Sequence, residues 1–206
     1  MIFRQLSSFD TAALTYLVAD AVAREAAVID VTAEQHPVLL ALLDERDLRL
    51  RYVLRTHSHA GVQDAAADLC RHTGAKLAGG TSRRTPLADG DALDFGSELL
   101  RVIATPGHTP DSVCFLWRDR LFTGDTLEIG GWVPAPTPEA DPGRLYDSVT
   151  HRLFVLPEET LVFPAHAFHH RRVSTVGEER THNRCFANPS RDAFVSAYRR
   201  VHRAGA

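Results

Sequence analysis

The residues of this sequence that could do chemistry stand in short polar segments directly after apolar, strand-like runs. His57 and His59 flank one serine in "RTHSHAGVQ", after the apolar run "LRYVLRT". Alternate residues of an extended segment point the same way, so both imidazoles can face one point. Imidazole is the commonest metal ligand in proteins, and the pair could begin a metal site. Residues 60–63 add no carboxylate and no imidazole, so further ligands must come from elsewhere in the chain.

Three later segments of the same kind supply such ligands. His108 lies in "TPGHTPDS", Asp125 in "GDTL" and His166 in "PAHAF", each after a predicted strand. Loops at strand ends are where a rigid scaffold displays reactive groups. Taken alone, a loop histidine is usually solvated, and Asp125 suits a turn or a helix N-cap. Their order and their glycine and proline neighbours together indicate one site.

Alternating short strands and helices must position these side chains. Strand-like runs at 14–19 and 26–31 predict a hairpin, and "EQHPVLLALLDERD" has apolar residues at helical spacing. A second helix, after the histidine pair, is predicted to close at Gly74. The middle of the chain is β-rich, and residues 190–202 predict a packed terminal helix. No repeat or linker interrupts the pattern, which predicts a single α/β domain over residues 1–206.

Composition excludes several classes of protein. The chain has 206 residues with 44% hydrophobic and 24% charged residues, as is typical of globular proteins. The net charge of −3 gives no reason to expect nucleic acid or an anionic membrane as partner. The N-terminal segment does not resemble a signal peptide, and no apolar run approaches the roughly 18 residues that span a bilayer. Cys70, Cys114 and Cys185 form neither a disulfide framework nor a C-x-x-C zinc pattern. We therefore expect a cytoplasmic protein.

The motifs T-H-x-H, T-P-G-H-T, F-T-G-D-T and F-P-A-H, in this order, resemble the metallo-β-lactamase superfamily. Within it the chain is similar to the branch containing glyoxalase II and the persulfide dioxygenases. The runs "FRQL", "LYDSV" and "VSTVGEERTHN" also resemble the dioxygenases. The resemblance implies a four-layer αβ/βα sandwich, with two mixed sheets face to face, helices outside and a metal at one edge. It also implies a homodimer.

The resemblance argues against a two-metal centre. In two-metal members the first motif reads T-H-x-H-x-D-H, and its Asp and last His hold the second metal. This sequence has Gly61 and Val62 at those positions. A two-metal hydrolase holds a bridging hydroxide between metals about 3.5–4 Å apart, which this pair cannot help to build. Thioester hydrolysis of the glyoxalase II type is therefore disfavoured.

The persulfide dioxygenases hold one iron(II) with the first histidine of H-x-H, the histidine of P-G-H-T and the aspartate of G-D. Here these are His57, His108 and Asp125, which implies one Fe(II) per chain in a facial triad. The expected substrates are a small thiol persulfide and O2, and the products are sulfite and thiol. His59 and His166 are then expected as catalytic groups that hydrogen-bond to bound water, oxygen or the ligands, or that ligate the metal themselves.

The chain departs from the dioxygenases where they bind substrate. The arginine of their G-R-T-D run, which helps to hold glutathione, is Pro134 here. The tyrosine two residues after the last histidine is Phe168, and the intervening aspartate is Ala167. The substrate is therefore either glutathione persulfide or the persulfide of another thiol.

Two other functions stay open on the sequence. One is a mononuclear zinc hydrolase of a thioester or lactone, with His57, His59 and His108 as ligands and Asp125 orienting water. Gly61 counts against it, because the superfamily often has its catalytic base there. The other is a non-catalytic binding module on the same fold, which gives no reason to keep four groups able to bind a metal.

Overall fold

Two β-sheets form the centre of the fold. The computed structural model describes residues 1–58, 65–79, 86–131, 139–167, 171–187 and 189–204. The strands of the first sheet, in their spatial order, are β1 (Ile2–Ser7), β2 (Leu14–Asp20), β3 (Glu25–Ile29), β4 (Arg49–Arg55) and β5 (Lys76–Gly79). Strands β1 to β3 pair antiparallel, while β3, β4 and β5 are parallel. The predicted hairpin is confirmed as β2 and β3.

Two helices cover the outer face of this sheet. Helix α1 (His36–Glu45) connects β3 to β4, and α2 (Ala65–Thr73) precedes β5. Leu39 of α1 and Leu69 of α2 are fully buried in one apolar cluster with residues of β2, β3 and β4. Gly74 follows α2 with a φ of +73°, the left-handed conformation that ends many helices, as predicted.

The second sheet has six strands. In chain order they are β6 (Ala92–Phe95), β7 (Glu98–Ala104), β8 (Val113–Trp117), β9 (Arg120–Gly124), β10 (Leu161–Pro164) and β11 (Ser174–Thr175), and each lies beside the next in the sheet. Neighbouring strands are antiparallel except β9 and β10, which are parallel. Both sheets are thus mixed, as expected.

Three helices pack on the outer face of the second sheet. They are α3 (Pro142–Ser148), which continues as a π-helical turn over Val149–Leu153, α4 (Val176–His182) and α5 (Arg191–Ala204). Asp141 caps α3, since its carboxylate accepts hydrogen bonds from the backbone N–H groups of Gly143 and Arg144. Leu145 and Phe194 are buried with residues of β7 to β10. With helices outside both sheets, the predicted four-layer αβ/βα sandwich is confirmed.

Aromatic side chains fill the space between the sheets. Tyr16 of β2 lies 4.9 Å from Phe122 of β9 and 5.7 Å from Phe163 of β10, measured between ring centroids. Burying each large apolar side chain contributes roughly 1.5–3 kcal/mol, so this cluster stabilises the packing of one sheet on the other. The Tyr16 hydroxyl also donates a hydrogen bond to the carbonyl of Pro164, at the end of β10.

Strands β1 and β11 and helix α4 were not predicted from the sequence. β1 is a partly exposed edge strand without an alternating pattern, and β11 has two residues. Helix α4 does carry a signal, because the Thr175 hydroxyl accepts from the Glu178 N–H in a T-x-x-E capping pattern. No helix in the described ranges is long and apolar enough to cross a membrane.

Candidate metal centre

The topology brings the ends of four strands to one edge of the sandwich. β7 and β9 each pair antiparallel with β8, so they run in the same direction, and β10 is parallel to β9. Their carboxyl ends therefore meet, and the loops that follow carry His108, Asp125 and His166. His57 reaches the same place from the end of β4 in the other sheet.

Three of the predicted side chains form a buried cluster. His57 Nε2 lies 3.4 Å from Asp125 Oδ2, and His108 Nε2 lies 3.3 Å from the same oxygen. The side chains of His57, His108 and Asp125 are 7%, 0% and 2% exposed. One ligand atom from each lies within 4.8 Å of the others. Two imidazoles and one carboxylate fit a divalent iron or zinc ion.

A hydrogen-bond chain orients His57. Thr56 Oγ1 donates to Asp30 Oδ2 at 2.9 Å and lies 2.9 Å from His57 Nδ1. Because the only hydroxyl proton goes to Asp30, His57 Nδ1 must be the donor to Thr56. That tautomer leaves the Nε2 lone pair facing Asp125, the arrangement that a metal ligand needs. Sequence reasoning assigned no role to Asp30, or to Thr56, the first residue of the T-H-x-H motif, although both stand at the polar ends of apolar strands.

The pKa values in this chain reflect burial and nearby charge. Burial raises the pKa of the Asp30 carboxyl, while His57 and the donors of Thr56 oppose the rise. Burial lowers the pKa of His57, but the hydrogen bond and charge of Asp125 outweigh it, so the net pKa is raised. A divalent cation would replace the proton that these carboxylates attract to His57 in the metal-free protein.

Two glycines allow the ligand loops to approach their neighbours. Gly124 precedes Asp125 with a φ of +54°, and a Cβ there would lie 2.3 Å from Thr56 Oγ1. Gly107 precedes His108 with a φ of +147°, and a Cβ there would lie 2.3 Å from the backbone of Leu145 in α3. No side chain fits either position without displacing its neighbour, so both loops are fixed by close contact.

His166 lies on the other side of Asp125, beside a residue that sequence reasoning missed. His166 Nδ1 is 3.1 Å from Asp125 Oδ1 and 3.4 Å from Glu128 Oε1. Glu128 is 4% exposed, and burial raises its pKa to about 7. Hydrogen bonds to Asp125 and Glu128 raise the pKa of His166 to about 10. The only sequence signal for Glu128 is a carboxylate three residues after Asp125 in an otherwise apolar run.

Backbone contacts hold His166 in place. His166 forms an antiparallel bridge with Ala13, and the Leu14 N–H donates to the Ala165 carbonyl at 2.7 Å. The Tyr16 hydroxyl bond to Pro164 adds a third attachment. The first sheet therefore positions a side chain that follows a strand of the second.

Helix α4 and the residue that follows it hold the backbone of the Glu128 loop. Asn183 Nδ2 donates to the carbonyls of Glu128 and Gly131 at 3.1 and 3.2 Å. The Glu179 carboxylate accepts from the Gly130 N–H at 2.8 Å. The turn after Asp125 is thus fixed by the buried side chains of Glu179 in α4 and of Asn183, the residue that follows the helix.

Several predicted residues lie outside the described ranges. They are His59, Gly61, Val62, Pro134 and Phe168. Ala167, which stands where the dioxygenases have an aspartate, is described and packs against the core between the sheets. Of the five predicted site residues, the structure brings together His57, His108, Asp125 and His166.

Comparison with known proteins finds both persulfide dioxygenases and hydroxyacylglutathione hydrolases among the relatives of this chain. A family model described as "Metallo-beta-lactamase superfamily" matches residues 67–166. "Persulfide dioxygenase ETHE1, mitochondrial" of Homo sapiens is 37% identical over 191 residues, 89% of this chain and 75% of that protein. "Hydroxyacylglutathione hydrolase" of Cereibacter sphaeroides is 37% identical over 162 residues, 74% of this chain and 62% of that protein. The crystal structure of ETHE1 from Myxococcus xanthus has a TM-score of 0.93 and 38% identity, covering 98% of this chain and 91% of that one.

Proposed function

Because the chain belongs to the metallo-β-lactamase superfamily, we propose that it is a persulfide dioxygenase with one iron(II) held by His57, His108 and Asp125. The observation that carries the proposal is the buried cluster of two imidazoles and one carboxylate. The 37% sequence identity to the human persulfide dioxygenase, in an alignment that covers 89% of this chain, supports the proposal. In the proposed reaction a persulfide anion, O2 and water give the thiol, sulfite and a proton.

The chain's own residues would prepare the metal ligands. Thr56 accepts the Nδ1–H of His57, so that Nε2 carries the lone pair that would bind the ion. Asp125 would bind through Oδ2, while its Oδ1 lies 3.1 Å from His166 Nδ1. When bound, iron supplies the redox chemistry by which O2 oxidises the terminal sulfur of the persulfide.

His166 is our proposed catalytic group on the substrate side. Its Nδ1–H faces Asp125 and Glu128, and its side chain is 39% exposed, so the ring has an open side. The two carboxylates favour its protonated form, and an imidazolium would attract the persulfide anion and hydrogen-bond to its sulfur. His59 is proposed for a similar role on the H-x-H spacing alone.

The proposed substrate is the persulfide of a low-molecular-weight thiol. Pro134 and Phe168 replace the arginine and tyrosine of the dioxygenases, so the cation that would pair with a glutathione carboxylate is missing at that position. We therefore expect weaker binding of glutathione persulfide than an arginine would give, and we include other thiols as candidates.

The test is metal analysis of protein purified without oxygen, followed by O2 uptake and sulfite release with glutathione persulfide. We expect about one iron per chain, rapid uptake and one sulfite per O2. Asp125→Asn should lose both metal and activity. Asp89→Asn, which breaks a surface ion pair with Arg152, should keep them and serves as the matched control.

Other outcomes would replace the proposal. Iron without uptake on any thiol persulfide would contradict it. Zinc without uptake would favour the hydrolase of a thioester or lactone, which the relationship to hydroxyacylglutathione hydrolases also supports. A protein that binds no metal would favour the non-catalytic binding module. The cytoplasmic location and the homodimer stay predictions, and light scattering of the purified protein tests the second.

A further inference from the structure

We propose that a groove on the outer face of the second sheet binds a small organic anion, apart from the metal centre. The groove lies between the end of β7 and the exposed side of α3 with its π-helical continuation. We call it the outer groove. His57, His108 and Asp125 are all described residues, and none of them lines it. Its walls include Ile103 and Pro106 on the sheet side and Arg144, Ser148, His151 and Val155 on the helix side.

The outer groove has the size and the fixed walls of a small-molecule site. Its volume is about 670 Å³, within the roughly 300–1,000 Å³ that is usual for ligand pockets. The hydroxyl of Ser148 donates a hydrogen bond to the carbonyl of Pro106 at 2.8 Å, which joins the two walls. The backbone N–H of Asp141, the cap of α3, donates to the carbonyl of Gly107 at 2.9 Å. Because these bonds form the groove in advance, a ligand does not have to order it.

Apolar side chains form part of the surface. Ile103 belongs to the apolar cluster under the outer helices and is 9% exposed, so it lies at the bottom of the groove. Val155, on the helix side, is 69% exposed. An apolar ligand body that covers Val155 and Pro106 would remove their surface from water, which favours binding.

Cationic side chains surround the groove, although the chain carries a net charge of −3. Arg144, His151 and Arg152 line it together with one carboxylate, that of Asp147. Asp147 is already paired with Arg191, whose Nε and Nη2 lie 2.8 and 2.9 Å from its two oxygens. The outer groove therefore has an excess of positive charge, which attracts an anion.

Arg144 is the residue that points to an acidic group on the ligand. Its side chain is exposed and forms no ion pair with a carboxylate among the described residues. Arg152, by contrast, lies 2.6 Å from Asp89. A guanidinium can donate two parallel hydrogen bonds to a carboxylate or phosphate. His151, seven residues further along the same wall and also exposed, can donate another.

The π-helical turn is a second, independent feature of this wall. The Phe154 N–H donates to the carbonyl of Val149, five residues earlier, at 2.9 Å. The turn carries His151 and Arg152, which both line the groove. Such turns are rare and are frequently found at functional sites. The position of this one in the wall of the outer groove supports a binding role.

Charge and apolar surface together select the class of ligand. An inorganic anion would pair with Arg144 but would leave Ile103 and Val155 uncovered. A cation would be repelled by the arginines. The ligand therefore has an acidic group beside Arg144 and His151 and an apolar body over Ile103 and Val155. Carboxylate, sulfonate and phosphate groups share this chemistry.

The test is a fluorescence titration of the purified protein, with its bound metal, by the dye anilinonaphthalene sulfonate. We expect about one dye molecule per chain in the outer groove. Arg144→Gln should raise the dissociation constant by about tenfold, because a charged hydrogen bond is lost. His151→Gln should raise it by about threefold and serves as a second variant if Arg144→Gln does not fold. Urea unfolding shows whether each variant keeps the stability of the wild type.

Arg101→Gln is the matched control. Arg101 is an exposed arginine of β7 that lines a different groove, of about 460 Å³, beside Leu99 and Arg118. This variant should keep the dissociation constant of the wild type. An equal loss of affinity in Arg101→Gln, or unchanged affinity in folded Arg144→Gln and His151→Gln, would overturn the proposal.

Competition with small aromatic compounds tests the ligand class on the wild type alone. Benzoate, benzenesulfonate and phenyl phosphate are expected to displace the dye, and the tightest of them identifies the preferred acidic group. Benzylamine, a cation of similar size, is expected to leave the dye bound. Displacement by benzylamine as effective as that by the three anions would contradict an anion site. No readout uses O2 uptake, so this proposal and the dioxygenase proposal can fail separately.

Discussion

Replacing Thr56 with valine removes the centre of the hydrogen-bond chain that orients His57, with little change in side-chain volume. Thr56 Oγ1 lies 2.9 Å from Asp30 Oδ2 and 2.9 Å from His57 Nδ1. Asp30 would keep the Thr56 backbone N–H at 2.8 Å on its other oxygen. The variant thus leaves one buried carboxylate oxygen without its donor and one imidazole N–H without its acceptor.

The magnitudes follow from these two losses. Loss of a partner to a buried polar group costs about 1–3 kcal/mol, so we expect the free energy of unfolding of the metal-free protein to fall by about 2 kcal/mol. The metal affinity should fall by about 10–100-fold, because the Nδ1–H no longer fixes the direction of Nε2. Urea unfolding measures the first effect, and chelator competition for bound zinc measures the second.

Thr15→Val is the matched control. Thr15 is also a fully buried threonine bound to Asp30, since its hydroxyl donates to the Asp30 carbonyl at 2.8 Å. This hydrogen bond goes to the Asp30 backbone and not to His57. Thr15→Val should therefore reduce stability and leave the metal affinity at the wild-type value. Equal losses of affinity in both variants, or no loss in Thr56→Val, would refute the role assigned to the chain.

The remaining predictions concern backbone fit and pH. Gly124→Ala should lose about 1–3 kcal/mol of stability and much of the bound metal, because φ at this position is +54° and the new Cβ meets Thr56 Oγ1. Thermal unfolding measures the loss of stability, and elemental analysis measures the loss of metal. An alanine variant with full metal content would contradict the close contact between Gly124 and Thr56. Hydrogen bonds from Ser97, and from the backbone N–H groups of the turn that follows Asp20, hold the pKa of Asp20 well below its usual range. The contribution of Asp20 to stability is therefore present above about pH 4 and is lost as the pH falls through the lowered pKa. Asp20→Asn should flatten this acid limb of the unfolding profile. The pKa of His166 is raised to about 10, so in metal-free protein its contribution is full below about pH 6.5 and is lost as the pH rises toward 10. His166→Gln should remove that alkaline loss, and an unchanged slope would show that another group causes it.

The sequence predicts those site residues that can be recognised from their immediate neighbours in the chain. His108, Asp125 and His166 each stand within a few residues of the end of an apolar strand, beside a glycine or proline, and this closeness to the strand keeps the side chain at the sheet edge. The H-x-H spacing likewise places His57, while His59 remains a prediction from that spacing. Apolar periodicity predicts helices α1 and α5, whereas the placement of helices outside two sheets was implied by the family resemblance.

The contacts that span long sequence separations could not be predicted. Asp30 meets Thr56 because β3 and β4 are parallel neighbours, and no local pattern encodes which residues of two strands become adjacent. Glu128 reads as one polar residue in an apolar run, and its approach to His166, 38 residues later, depends on how β10 lies beside β9. Strand β1 is fixed by its pairing with β2 rather than by its own composition.

The origin of the proposed metal ligands in two different sheets has a consequence for folding. His57 comes from the first sheet, whereas His108 and Asp125 come from the second, so the cluster exists only after the sheets have packed together. Binding energy then acts on the docked state and not on either sheet alone. At free metal of about 100 times the dissociation constant this linkage adds about 2.7 kcal/mol to the folded state. Loss of the ion would accordingly weaken the association of the two halves of the sandwich.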